Sequence, residues 1–97
     1  DENMIFVIDK LKYDTDKMEL ISEKCKYNYP GYFLGKNVSY SAKSTKLYKT
    51  KKGHWFLTYE KDVSTYGKVL TEDEVKELLI KSDLAKYEEL FGELEEG

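Results

Sequence analysis

The segment Thr50-Lys51-Lys52-Gly53-His54 limits what the chain on either side of it can become. It suits a type I turn followed by glycine in the left-handed region, a three-residue connection that sets Thr50 opposite His54. That register pairs Lys49 with Trp55, Tyr48 with Phe56 and Leu47 with Leu57. Side chains alternate along a strand, so one face of the hairpin Lys46–Tyr59 carries Leu47, Trp55, Leu57 and Tyr59, and the other carries Lys46, Tyr48, Phe56 and Thr58. The first face is the natural core side.

Something must cover that face, and the C-terminal third supplies it. Thr71 is placed as an N-cap, Glu74 closes a capping box three residues later, and Leu70 can staple onto Val75. Glu72, Asp73 and Glu74 complement the positive helix end. Val75, Leu78 and Leu79 form an apolar stripe, and Ser82 or Asp83 caps a second helix whose Leu84, Tyr87 and Phe91 recur at helical spacing before Gly92 stops it. Residues 93–97 are expected to fray.

The N-terminal half reads less sharply. Met4–Ile8 is short and rich in β-formers, a strand that can continue through Leu11 and Tyr13. Met18, Ile21 and Cys25 fall at i, i+3 and i+7, which on spacing alone favours a short helix across residues 16–25. Residues 26–44, with Asn28, Pro30, Gly31, Gly35 and Asn37, read as a surface loop anchored by Tyr27, Tyr29, Tyr32 and Phe33. A linker containing Ser64, Thr65 and Gly67 leads to the helices. The expected fold is therefore α+β: a small antiparallel β-sheet of three to four strands with a C-terminal helix pair packed on one face.

At 97 residues the chain has material for one modest core, so residues 1–97 are read as a single domain. Met4 is expected to be the natural start, with residues 1–3 a remnant of expression. The single cysteine rules out an intrachain disulfide, and the longest apolar run is far too short to span a bilayer. A cytoplasmic location follows as the default. Charge is uneven: residues 1–70 carry 13 Lys against 9 acids, residues 71–97 carry 3 Lys against 10 acids, and there is no arginine. The missing guanidinium fork argues against a dedicated reader of phosphates or bases.

Catalytic chemistry finds little to work with. His54 is the only histidine and sits at a hairpin turn, where solvent exposure is the expectation rather than general-base duty. Cys25 and His54 together are too few for a structural zinc site, and a buried, inert thiol is expected. Asp14 and Asp16 suit capping better than calcium, since no distal glutamate follows in register. Neither catalytic site, metal nor cofactor is expected.

Two surfaces remain as binding candidates. Lys36, Lys43, Lys46, Lys49, Lys51 and Lys52 occupy a 17-residue window without an acid, interleaved with Tyr40 and Tyr48. Such a window can bind single-stranded nucleic acid by charge and stacking, or simply solvate a sheet edge and discourage aggregation. The second candidate is the outer hairpin face. If helices cover only one side of the sheet, Tyr48 and Phe56 stand in solvent beside Lys46; if the Tyr27–Phe33 segment folds over them, they make a second small core.

The string Leu47-Tyr48-Lys49-Thr50-Lys51-Lys52-Gly53-His54-Trp55-Phe56-Leu57 resembles a pattern, roughly L-Y-[KR]-T-K-x-G-x-W-F-L, in short uncharacterised proteins of bacterial phages and mobile elements. Tyr13 to Lys17, Leu70 to Leu79 and Tyr87 to Glu93 look like flanking blocks of the same group, whereas Glu60-Lys61-Asp62-Val63 stands where relatives often carry a glycine-rich stretch. The resemblance shifts Lys17–Lys26 from helix toward strand. It also implies a setting in which small proteins inhibit host defence nucleases, anti-CRISPR proteins among them. The expected function is a non-enzymatic protein that inhibits or modulates a larger bacterial protein such as a CRISPR effector nuclease, with a nucleic-acid-binding module as the alternative. The expected contact residues are Tyr48, Phe56, Lys46, Lys49, Lys51, Lys52, Tyr29 and Tyr32.

Overall fold

The computed structural model describes residues 4–97, so the expectation about residues 1–3 lies outside the described residues. The chain forms strands β1 (Ile5–Ile8) and β2 (Leu11–Asp14), a short 3-10 turn, then β3 (Glu19–Ser22), β4 (Asn28–Phe33), β5 (Lys36–Ser41), β6 (Lys43–Lys49), β7 (Trp55–Lys61) and β8 (Ser64–Leu70), and finally helices α1 (Glu72–Ser82) and α2 (Leu84–Phe91). A central antiparallel sheet has the order β3-β6-β7-β8, while β1-β2 and β4-β5 are separate two-stranded ribbons. This is the expected α+β class: the antiparallel sheet has four strands, and the two ribbons are additions to it.

The central hairpin has the register its turn dictates. Lys49 pairs with Trp55, Tyr48 with Phe56 and Leu47 with Leu57. The Thr50 N–H donates to the His54 carbonyl at 2.8 Å, the Gly53 N–H donates to the Thr50 carbonyl, and the Thr50 hydroxyl accepts from the His54 N–H at 3.0 Å. Gly53, at φ 87°, takes the left-handed position without a Cβ penalty.

Leu47, Trp55 and Leu57 face the helices, where they join Ile21, Leu70, Val75 and Leu79 in the larger core, with Tyr87 and Phe91 packed against it. The capping box forms in both directions: the Thr71 hydroxyl accepts from the Glu74 N–H and the Glu74 carboxylate accepts from the Thr71 N–H. The Asp83 carboxylate caps α2 through the Lys86 N–H and also accepts a 2.7 Å hydrogen bond from the Ser22 hydroxyl, tying the helix pair to β3. Gly92 ends α2, and residues 93–97 lie exposed outside regular structure.

The opposite face of the sheet is also buried, so of the two alternatives for Tyr48 and Phe56 the second small core is the one that forms, and neither residue is available as a contact surface. Phe56 is 0% exposed and Tyr48 is buried beside it. The cover is not the Tyr27–Phe33 segment but the N-terminal ribbon. Phe6, Ile8 and Tyr13 point inward, with the Tyr13 ring stacked on Phe56 at 4.8 Å and the Phe6 ring tilted against it at 5.4 Å. The single strand expected from Met4 through Tyr13 is broken because Asp9 and Lys10 both adopt positive φ, as in the tight two-residue turn whose twist matches a hairpin. The layers are thus helix pair, four-stranded sheet and covering ribbon.

Three other expectations are settled or changed. Residues 16–25, where spacing favours a helix and the resemblance favours a strand, hold strand β3: Met18 packs into the Phe56 core, whereas Ile21, at a register shift between Leu20 and Ser22, and Cys25 join the core on the other side. Their helical spacing therefore serves two opposite faces of one sheet. The linker containing Ser64, Thr65 and Gly67 is strand β8, joined to β7 by a tight turn in which Asp62 has φ 59°. Residues 26–44, expected as a loop, hold the ribbon β4-β5, turned by Leu34 and Gly35. Pro30 is tolerated because a two-stranded ribbon has a free edge on each strand.

Two measurements follow. A Cβ built on Gly67 would meet the Phe56 ring inside van der Waals contact and press on Phe6; Phe56 is fully buried, so Gly67→Ala should cost about 1–3 kcal/mol in urea unfolding. The hydrogen bond from Ser22, with the N-cap bond, holds the Asp83 carboxyl below its usual range. A depressed folded pKa contributes stability that is complete above the unfolded value and lost as pH falls through the folded one. Asp83→Ala should therefore destabilise by about 1 kcal/mol at neutral pH, and the gap from wild type should shrink as pH drops below the ordinary carboxylate range.

Candidate functional site

The β4-β5 ribbon is an arm held at its base and bare at its tip. At the base, Tyr27 lies 4.5 Å from the Tyr59 ring and its carbonyl accepts from the Ala42 N–H. Tyr29 stacks on Tyr59 at 6.5 Å and leans on Tyr40 at 5.7 Å, and Tyr59 in turn stacks on Tyr66 at 5.8 Å. Tyrosines from β4, β5, β7 and β8 thus form one continuous row. Lys61 sits 5.0 Å over the Tyr29 ring and Lys68 5.3 Å over Tyr27, adding cation–π attraction at the junction. Burial is the main cause that pushes the Tyr59 phenol above its ordinary pKa, with the neighbouring Tyr27 adding to it.

Beyond this base the ribbon holds its own shape. Tyr40 lies across Gly31, where a Cβ would clash with its ring, and the Tyr40 hydroxyl donates to the Tyr32 carbonyl. Ser41 donates to the Asn28 side chain at 3.0 Å. At the far end Tyr32, Phe33 and Leu34 are 75%, 61% and 86% exposed in succession. Leu34 has φ 53° and Gly35 φ 77°, so the turn has positive φ at both central residues. Asn, Asp or Gly is the usual occupant of the first such position; a leucine there costs about 1 kcal/mol or more of backbone strain.

The expected contact residues do not converge. Tyr48 and Phe56 are core. Lys46 is half-buried on β6, and the Lys49 ammonium lies 4.7 Å over the Trp55 ring. Lys51 and Lys52 are exposed at the β6-β7 turn, Tyr29 is part of the tyrosine row, and Tyr32 is at the arm tip. The lysine window is dispersed with them: Lys36 goes to the arm and Lys43 lies opposite Glu60. Phe33 is a tip residue rather than a loop anchor, and Leu34 joins it without having been expected there. The available signal was the apolar run Tyr32-Phe33-Leu34 ending on Gly35.

His54 is exposed beside the Tyr13 ring, with centroids 6.4 Å apart. Cys25 is buried, and desolvation raises its thiol pKa, which makes it a poor nucleophile. Among the described residues, no group of three or more His, Cys, Asp or Glu side chains is arranged to hold a metal, and no helix is long and apolar enough to cross a membrane. Comparison with known proteins finds no family model, no curated protein and no solved structure that matches the chain.

Proposed function

We propose that the chain is a non-enzymatic binding protein that inhibits or modulates a larger bacterial protein, and that the tip of the β4-β5 arm makes the contact. The resemblance to small proteins of phages and mobile elements suggests a CRISPR effector nuclease as the class of partner. The observation that carries the reading is the unbroken exposure of Tyr32, Phe33 and Leu34 at the end of a ribbon whose base is fixed.

Scattered apolar side chains on a surface need no explanation, but three large ones in a row at a projecting turn do. Folding does not require them, since the tip packs on neither core. Turn formation does not favour Leu34, because its backbone sits where Asn or Gly is more stable. A residue that costs both solvation and backbone strain, without local compensation, fits a role in recognition. The tyrosine row supplies rigidity, so little conformational entropy is lost when the tip is immobilised.

The test separates fold from binding. Leu34→Asn should raise stability by about 0.5–1 kcal/mol, because it relieves the positive-φ strain. Combined with Phe33→Ser it should weaken partner binding about thirtyfold or more, the scale of an interface hot spot. Affinity capture from a bacterial lysate, with and without nuclease treatment, provides the readout. Wild type should retain a protein partner through nuclease treatment and the double variant should lose it; equal capture by both would refute the arm tip as the contact.

A further inference from the structure

At the other end of β7 from the arm, the β6-β7 turn borders a cleft of about 360 Å³. It lies between two hairpins remote in sequence. Lys12 and Lys17 flank it from the N-terminal segment, and Lys51 and Lys52 flank it from the turn. The rest of the lining includes Leu11, Met18 and the exposed His54, whose ring is inclined at 46° to that of the largely buried Tyr13. Asp14 is the one acid in the lining, and its carboxylate already accepts the Asp16 N–H at 3.0 Å.

We propose that this cleft binds a single nucleotide unit, with the base against the exposed His54 ring and the Met18 side chain, over the largely buried Tyr13, and the phosphate among Lys12, Lys17, Lys51 and Lys52. Each part of the lining excludes a simpler ligand. A bare inorganic anion has no use for an apolar wall, and a neutral apolar molecule has no use for four cations. The volume lies near the lower end of the range for small-molecule pockets, which suits one nucleotide rather than a run of them. Without arginine the phosphate is held by lysine point charges and not by a bidentate fork, which gives attraction without fixed geometry. The groove that continues past Lys17 and Lys51 toward Lys49 carries Asp16 and Glu19, which confines the positive field to the cleft.

The floor is rigid where it matters. Tyr13 is held by its stacking on the fully buried Phe56, and the His54 backbone is fixed by the Thr50 hydroxyl and carbonyl-bonded turn. The lysines are free to adapt at the rim, being exposed at Lys12, Lys17, Lys51 and Lys52. Such a unit is presented either by a free nucleotide or by an unpaired nucleotide of a strand, and both offer the same base and phosphate. The site stands independently of the arm.

Chemical shifts of the full chain, followed at low salt while AMP, a terminally phosphorylated oligothymidylate or inorganic phosphate is added separately, test the proposal. AMP or the oligonucleotide should move resonances of Lys12, Tyr13, Met18 and His54 saturably, with inorganic phosphate binding about tenfold more weakly or worse. A response to AMP identifies a free nucleotide as ligand, and a response to the oligonucleotide alone identifies a strand. Lys12→Glu with Lys51→Glu should weaken binding about tenfold or more, because two charge-assisted contacts are reversed. Lys36→Glu with Lys43→Glu makes the same change in net charge away from the cleft and should leave binding within about twofold. The proposal is overturned by an absence of saturable shifts with both nucleotide probes, by shifts outside the cleft, by equal binding of inorganic phosphate, or by equal weakening in both double variants. The wild-type titration decides the matter even if a variant fails to fold.

Discussion

The structure depends on strand β7 being buried on both faces. Trp55 and Leu57 project toward the helix pair, while Phe56 and Thr58 project toward the N-terminal ribbon, and each of the four is within a few per cent of complete burial. A strand in the middle of a small sheet can be covered on one side by a helix pair, but two faces require a second layer. In a chain of this length that layer has to be thin. The β1-β2 ribbon meets the need with three inward side chains, Phe6, Ile8 and Tyr13, and Gly67 leaves space for the far end of the Phe56 ring. The outer residues of β1, Ile5 and Val7, then remain in solvent.

This arrangement decides which surfaces are available to a partner. Once Tyr48 and Phe56 are committed to the core, the central hairpin offers only its turn. Exposed aromatic surface moves to the β4-β5 arm, anchored at the Tyr59 end of β7, and exposed positive charge gathers at the β6-β7 turn, before Trp55. The two candidate binding regions thus lie at opposite ends of one strand whose burial fixes both. The string Leu47–Leu57 is made mostly of turn and core residues, so it describes the scaffold between these regions more than either region itself.

What was legible in the sequence was local. The register of Lys49 with Trp55 followed from one turn, and the capping box of Thr71 and Glu74 and the stop at Gly92 followed from contacts within a single helix. What was not legible depended on turns without the usual signature. Asp9-Lys10 and Leu34-Gly35 both reverse the chain in two residues, yet neither is the Asn-Gly or Asp-Gly pair that announces a hairpin, so one hairpin read as a continuous strand and the other as a loop. Met18, Ile21 and Cys25 were ambiguous for a different reason: in extended chain residues three apart point to opposite faces and residues four apart to the same one, so Met18 on one side of the sheet and Ile21 and Cys25 on the other also fall at helical spacing. The lysine cleft was invisible because Lys12 and Lys17 meet Lys51 and Lys52 only through the docking of the N-terminal ribbon.

The central claim is therefore that the N-terminal ribbon closes the second face of the sheet over Phe56, leaving the arm tip bare. Nuclear Overhauser contacts between aromatic rings in the full chain test it most directly. Phe56 should show strong cross-peaks to both Tyr13 and Phe6, and the Phe33 ring should show none outside the arm. Absence of the Phe56 cross-peaks, or contacts from Phe33 to Phe56 or Tyr48, would contradict the account.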